Sequence, residues 1–175
     1  MQFKTLSLGL AFALASSVTL AAPVDYKIDP THTATVFSWN HFGFSTPSAN
    51  FTDIQGVIKV DNAKPANSSV EVTIPLSSVN TNVAALDKEF QEEAWFNAAK
   101  YPNITFKSTK VETKDKKHFK ITGDLTVKGI TKPVVLDAVL NKQGEHPMAK
   151  VPAIGFNATT SFDRSAFGIG NYVPN

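Results

Sequence analysis

Glu93-Ala94-Trp95-Phe96-Asn97-Ala98-Ala99-Lys100-Tyr101-Pro102-Asn103-Ile104-Thr105-Phe106-Lys107-Ser108 decides the fold class of this chain. An aromatic pair is followed by a short Ala-rich piece and a Tyr-Pro stop. Proline at 102 disfavours helix at Tyr101 and makes a boundary there. Beyond it Ile104 and Phe106 alternate with Asn103, Thr105 and Lys107, the period of two that a half-buried strand requires. The stretch carries no catalytic kit. It reads as a strand entering a barrel or sandwich beside an aromatic plug.

Outward from this stretch the same grammar repeats. Tyr26 to Asp29 open the pattern, and Thr33 to Phe42 form a long alternating run. In that run Thr35, Phe37, Trp39 and His41 share one face. Ile54 to Val60 and Val70 to Ile74 follow, each closed by turn residues that include Pro65 or Pro75. Later strands are predicted at Ile104 to Ser108, Phe119 to Val127, Val134 to Leu140 and Ile154 to Phe162. Lys128-Gly129-Ile130-Thr131-Lys132-Pro133 is expected to join two of them as a hairpin. Asn82 to Phe96 is the one helical segment, with Leu86, Phe90 and Glu93 on a stripe and Asn82 placed to cap it. Many short strands with a single helical interruption predict an all-β antiparallel barrel or sandwich.

Composition bounds what the chain can do. Lys4 followed by the apolar run Leu6 to Leu20 reads as a leader with cleavage after Ala21 or Ala22, so residues 1–22 are set apart as a signal peptide and 23–175 as one domain. The apolar run is short for a membrane anchor. The expected compartment is the periplasm or the cell exterior, with no stable membrane insertion. Without Lys4 the chain has 16 basic and 15 acidic residues, which is no electrostatic footprint for nucleic acid. There is no cysteine, so neither disulfides nor thiol chemistry are available and the core must supply stability. Thirteen of 175 residues are phenylalanine, enough rings for either a dense core or a greasy cavity.

The chemically reactive residues do not assemble into a recognisable motif. His32, His41, His118 and His146 lack the close spacing of a metal site, and no cofactor is called for. A hydrolase would need a nucleophile with a base, and there is no Gly-x-Ser-x-Gly turn. Asp163-Arg164-Ser165 is the most chemical-looking triplet, and a rim ion pair closing a strand accounts for it. The rings Phe37, Trp39, Phe51, Trp95, Phe96, Phe106, Phe156 and Phe162 read by periodicity first as an ordinary filled barrel core, with a ligand cavity as the alternative.

Taken in order, the blocks of this sequence resemble the YceI-like family of exported lipocalin-like proteins. The resemblance rests on His32-Thr33-x-Thr35-x-Phe37, His41-Phe42-Gly43-Phe44-Ser45, Phe51-x-x-Ile54-x-Gly56 and Val79-Asn80-Thr81. It continues through Leu86-Asp87-x-x-Phe90, Trp95 to Phe106, Ile121 to Val134 and Arg164-Ser165-x-Phe167-Gly168-Ile169-Gly170. It implies an extended antiparallel barrel of about eight strands with a helical insertion, enclosing an apolar tunnel. It also implies binding of long isoprenoid chains, such as polyprenyl phosphates or quinone tails, with no catalytic role. On that basis Thr35, Phe37, Trp39, His41, Val72, Ile74, Ile104, Phe106, Leu125, Leu136, Phe156 and Phe162 are expected to face the ligand.

Two departures from the family pattern bear on the expectation. Many relatives have Arg-Asp-x-His-Leu where this chain has Leu86-Asp87-Lys88-Glu89-Phe90, so a head-group role cannot be carried onto those positions. The family pattern also continues past the position of Asn175 with a terminal strand. An open seam, lacking its last strand and prone to pair with a second copy as a homodimer, is therefore expected. The competing readings are a hydrolase using Asp163 or His41, and a filled structural or host-contact barrel without a ligand.

Overall fold

Alternation written into the sequence becomes a seven-stranded antiparallel sheet that curls into a nearly closed barrel. The computed structural model describes residues 22–171 and residue 173. The leader expected over residues 1–22 falls almost wholly outside the described residues. In chain order the elements are β1 (Val24–Lys27), β2 (Thr35–Ser38), β3 (Ser48–Phe51), β4 (Gln55–Val60), β5 (Ser69–Pro75), β6 (Val79–Asn80), α1 (Ala84–Gln91), β7 (Asn103–Thr113), β8 (His118–Val127), β9 (Ile130–Glu145) and β10 (Pro152–Thr159). The large sheet runs β1-β4-β5-β7-β8-β9-β10, and a small one runs β2-β3-β6.

Register follows the apolar alternation. Val72 pairs with Phe106, Ile74 with Ile104, and Phe106 with Leu125, so one row of apolar side chains crosses three strands on the concave face. A slip of one residue would turn that row to water. The convex face carries the polar set, including cross-strand ion pairs Lys107–Glu71 at 2.8 Å and Lys120–Asp137 at 2.7 Å. Such exposed pairs contribute little stability and mainly keep the outer surface solvated.

Two sequence expectations change in detail. The β8–β9 hairpin turns on Lys128 and Gly129 alone, with φ of 52° and 75°, and Ile130 to Pro133 already belong to β9. Positive φ at both central residues gives the turn the twist that a two-residue hairpin needs. Gly129 is further constrained because a Cβ there would overlap the Tyr101 ring. The helix is shorter than expected, ending at Gln91 because the chain then turns back on itself through Asn97. Asn82 does not cap it. Asn82 adopts φ of 63°, and the Asp87 carboxylate instead accepts hydrogen bonds from the Thr81 N–H and hydroxyl, both at 2.6 Å.

Above the barrel lies the plug that the opening stretch suggested. Phe90 is its hub, with ring centroids 5.5 Å from Trp39, 5.0 Å from Trp95 and 6.0 Å from Phe96. Phe37 stacks on Phe51 at 5.3 Å and joins the same cluster. Residues 164–170 wedge between this connection and the β8–β9 turn: Gly170 N–H donates to the Ala94 carbonyl and Lys128 Nζ donates to the Gly168 carbonyl.

The barrel's two edges are β1 and β10, which are not paired with each other. Because every neighbouring pair in a seven-strand series is antiparallel, β1 and β10 run in the same direction. Near one end a side-chain bond spans from β9 to β1, where Gln143 Nε2 donates to Tyr26 Oη at 3.1 Å. β1 is short and carries Asp25 and Lys27, whereas β10 presents eight residues without a charge, interrupted by a bulge at Gly155/Phe156. Uncharged edges of that length invite pairing with other chains. Self-association is expected to run through β10, so Asn157→Lys should lower the oligomer fraction in sedimentation velocity. An unchanged fraction would place the contact elsewhere.

Candidate functional site

The concave face divides into a buried row and half-buried flanks. Ile74, Ile104, Phe106, Leu125 and Val127 are buried beneath the plug in one continuous apolar cluster. Phe106 lies over Gly123, where any Cβ would collide with its ring. Val111, Ile121 and Ala138 continue this buried row farther along β7, β8 and β9, and half-buried apolar residues flank it on both sides. Tyr26, Ile58 and Val72 line the β1–β4–β5 bank, and Phe119, Leu136 and Phe156 line the β8–β9–β10 bank. Phe119 and Phe156 meet edge-to-face at 5.9 Å above Ala138, whose small side chain leaves them room. These two banks of half-buried apolar side chains flank the unpaired β1/β10 seam, and Val72, Phe119 and Leu136 also pack against the buried cluster.

Polar side chains gather beside one end of these banks. A recess of about 310 Å³ lies there between Tyr26, Gln143, Gly144, Glu145, Lys150 and Pro152. Lys150 Nζ approaches Glu145 Oε1 at 3.5 Å, so the recess holds one positive and one negative group.

The residues expected to face a ligand therefore separate. Val72, Leu136 and Phe156 are half-buried on the concave face, the first two packed against the core cluster. Ile74, Ile104, Phe106 and Leu125 are packed core. Thr35, Phe37 and Trp39 are half-buried, Phe37 and Trp39 within the plug cluster. His41 and Phe162 must be moved out of the interior. The strand ends at Ser38, and His41 lies exposed in the following loop with its ring against Phe42 at 4.9 Å. Phe162 follows the end of β10, is 45% exposed, and meets Phe167 edge-on at 5.1 Å. Tyr26, Ile58 and Phe119 were missed. Their alternation with Lys59, Lys120 and their neighbours was visible, but the bank they belong to depends on strand order.

The reactive-looking residues have structural work. Among the described residues no three histidine, aspartate or glutamate side chains gather as a metal site. His32 and His118 each pair with the aspartate three residues before, Asp29 at 2.8 Å and Asp115 at 2.7 Å. His146 Nδ1 accepts from Met148 and Ala149 N–H groups. Each thus braces a turn. The imidazole of His41 has no hydrogen-bonded hydroxyl among the described residues. The Arg164 guanidinium donates to the carbonyls of Ile169, Gly170 and Val173 at 2.7–2.8 Å, which clasps the segment after β10.

These turns make the fold sensitive to acid. Hydrogen bonds from the His118 backbone N–H, the His118 ring and the Lys117 N–H hold the Asp115 carboxyl well below the usual carboxylate range. The Lys64 N–H, with Asn67 and the Ala63 N–H, lowers that of Asp61. A depressed folded-state pKa means that the unfolded chain takes up the proton first, at about 3.9. The contribution is complete above that value and is lost as pH falls through the folded pKa. The urea midpoint should therefore decline below about pH 4, and Asp115→Asn should make that decline shallower. A midpoint that rises on acidification would contradict this.

Comparison with known proteins matches the whole of this domain. The family model described as "YceI-like domain" matches residues 26–175. Protein YceI of Escherichia coli O157:H7 is 42% identical over 165 residues, covering 93% of this chain and 85% of that protein. The UPF0312 protein of Pseudomonas savastanoi pv. phaseolicola is 37% identical, covering 94% and 84%. The crystal structure of the Campylobacter jejuni YCEI protein is similar at a TM-score of 0.69 and 34% identity, covering 85% of this chain and 86% of that one.

Proposed function

This chain belongs to the YceI-like family, and on that premise we propose that it binds a long apolar lipid of isoprenoid type outside the cytoplasm, as a carrier or store. The observation that carries the reading is the pair of half-buried apolar banks, Tyr26–Ile58–Val72 and Phe119–Leu136–Phe156, that flank the unpaired seam beside a recess holding Gln143, Glu145 and Lys150. An apolar tail with one polar head matches that sequence of environments.

The energetics favour length-limited binding. Burying one methylene contributes about 0.8 kcal/mol, so a five-carbon isoprenoid unit contributes roughly 3 to 4 kcal/mol at most. Affinities saturate near −18 to −21 kcal/mol, roughly five or six such units. Longer chains are then selected by the extent of the two banks rather than by added contacts. At the head, the Lys150–Glu145 pair leaves the recess without net charge. That balance suits a quinone or alcohol head better than a phosphate.

Native mass spectrometry of protein purified from its own host without detergent tests the reading. The expected result is a bound lipid, or uptake of an offered quinone in preference to an equal-length polyprenyl phosphate. Protein that arrives empty and takes up neither would overturn it in favour of a filled structural barrel.

A further inference from the structure

Between β2 and β3 the chain turns through Trp39-Asn40-His41-Phe42-Gly43-Phe44-Ser45-Thr46-Pro47, and the tip of that turn points two rings at solvent. Phe44 is 88% exposed and Phe42 58% exposed. Neither belongs to the aromatic plug, and the nine residues include no lysine, arginine, aspartate or glutamate. Isolated exposed rings are ordinary. Two on a single protruding tip, held in a defined shape, are not explained by the core.

The tip is built in a way that suits a lipid phase. Half of its eight backbone donors are paired within the turn: Trp39 N–H donates to the Pro47 carbonyl at 3.1 Å, His41 N–H to the Ser45 carbonyl at 2.9 Å, and Phe44 N–H to the His41 carbonyl at 2.9 Å. Gly43 N–H donates to Asn40 Oδ1. A turn with no charge and half its donors paired suits the head-group boundary, where rings reach the acyl chains while the other donors keep water. Phe42 is held at φ of 54° beside Gly43 at 79°. A bulky residue in that region is uncommon, so the turn spends conformational energy to direct this ring outward.

We infer that the 39–47 turn docks on a lipid bilayer by inserting Phe42 and Phe44 at the boundary between head groups and acyl chains. A convex tip with two rings offers too little surface for a stable protein interface, which buries on the order of 1,000 Å² or more. A fluid phase needs no matching pocket. The inference rests on the lipid-binding reading, since a carrier of a membrane-resident lipid must meet the membrane to load or release it.

Flotation of the full chain with phosphatidylcholine vesicles containing no isoprenoid isolates docking from ligand uptake. Wild-type protein should float with the vesicles, and the Phe42→Ser/Phe44→Ser double variant should partition at least about tenfold less. Raising the salt concentration should leave partitioning unchanged, because no charge is involved. Met148, 87% exposed at the β9–β10 turn, supplies the control, and Met148→Ser should partition like wild type. A Phe44→Trp variant should show a blue-shifted emission on vesicles. Absence of wild-type flotation, equal loss in Met148→Ser, or loss of self-association in the double variant would each overturn the proposal. Failure here with lipid still seen by native mass spectrometry would remove membrane docking and leave lipid binding standing.

Discussion

Replacing Gly56 with alanine should destabilise the protein by roughly 3 kcal/mol, among the largest effects available to a single added methyl. Gly56 pairs with Val72 where β4 crosses β5. A Cβ at this position would overlap the backbone carbonyl oxygen of Glu71 and lie 3.0 Å from the Val72 Cα. Both obstacles are backbone, so no side-chain rotation relieves them. The β4–β5 ladder must open, which also displaces Val72 and Ile58 on the concave face. For a domain of this size the melting temperature should fall by roughly 6 to 12 °C. Gly144→Ala provides the contrast, because a Cβ there meets nothing within 4 Å. Comparable melting temperatures for the two variants would refute the packing argument.

The second large effect concerns binding. Leu136→Arg is expected to weaken isoprenoid or quinone binding by at least about a hundredfold, equivalent to about 2.7 kcal/mol. Leu136 is half-buried on the concave face, where an arginine would face an apolar tail with no partner for its charge. Val135, one residue earlier, points to the convex side and is an exposed position. Val135→Arg should therefore leave affinity unchanged. The comparison holds strand, neighbours and added charge constant and changes only the face. Titration of a fluorescent quinone analogue into both variants reads it, with urea midpoints confirming that each is folded. Equal affinities would mean that the concave face of β9 does not contact the ligand.

Much of the barrel could be read from the chain because its rules are local. Ile104 and Phe106 alternate with polar neighbours, Pro102 stops what precedes them, and Gly129 permits a left-handed turn. Each signal spans only a few residues, and each was realised in β7 or the β8–β9 hairpin. The same rule failed between Ser38 and His41. Alternation there is perfect in sequence, but after Ser38 the backbone pairs with Pro47 and Ser45 in a tight turn instead of continuing along a sheet. Phe162 misled for a related reason: its apolar character marked burial, yet β10 ends at Thr159 and its ring packs against Phe167.

By itself the sequence determined the strand periods, the turns, the single helical segment and, through its ordered blocks, the family. Those properties depend on side chains two to four residues apart and on backbone preferences that act locally. The tertiary structure alone decided which apolar residues are buried core and which stay half-exposed beside the seam. Phe106 and Phe156 are the same residue type in similar strands, but Phe106 lies between β5 and β8 over Gly123, whereas Phe156 stands on the open edge. That difference is set by strand order and closure, long-range quantities that no local pattern encodes.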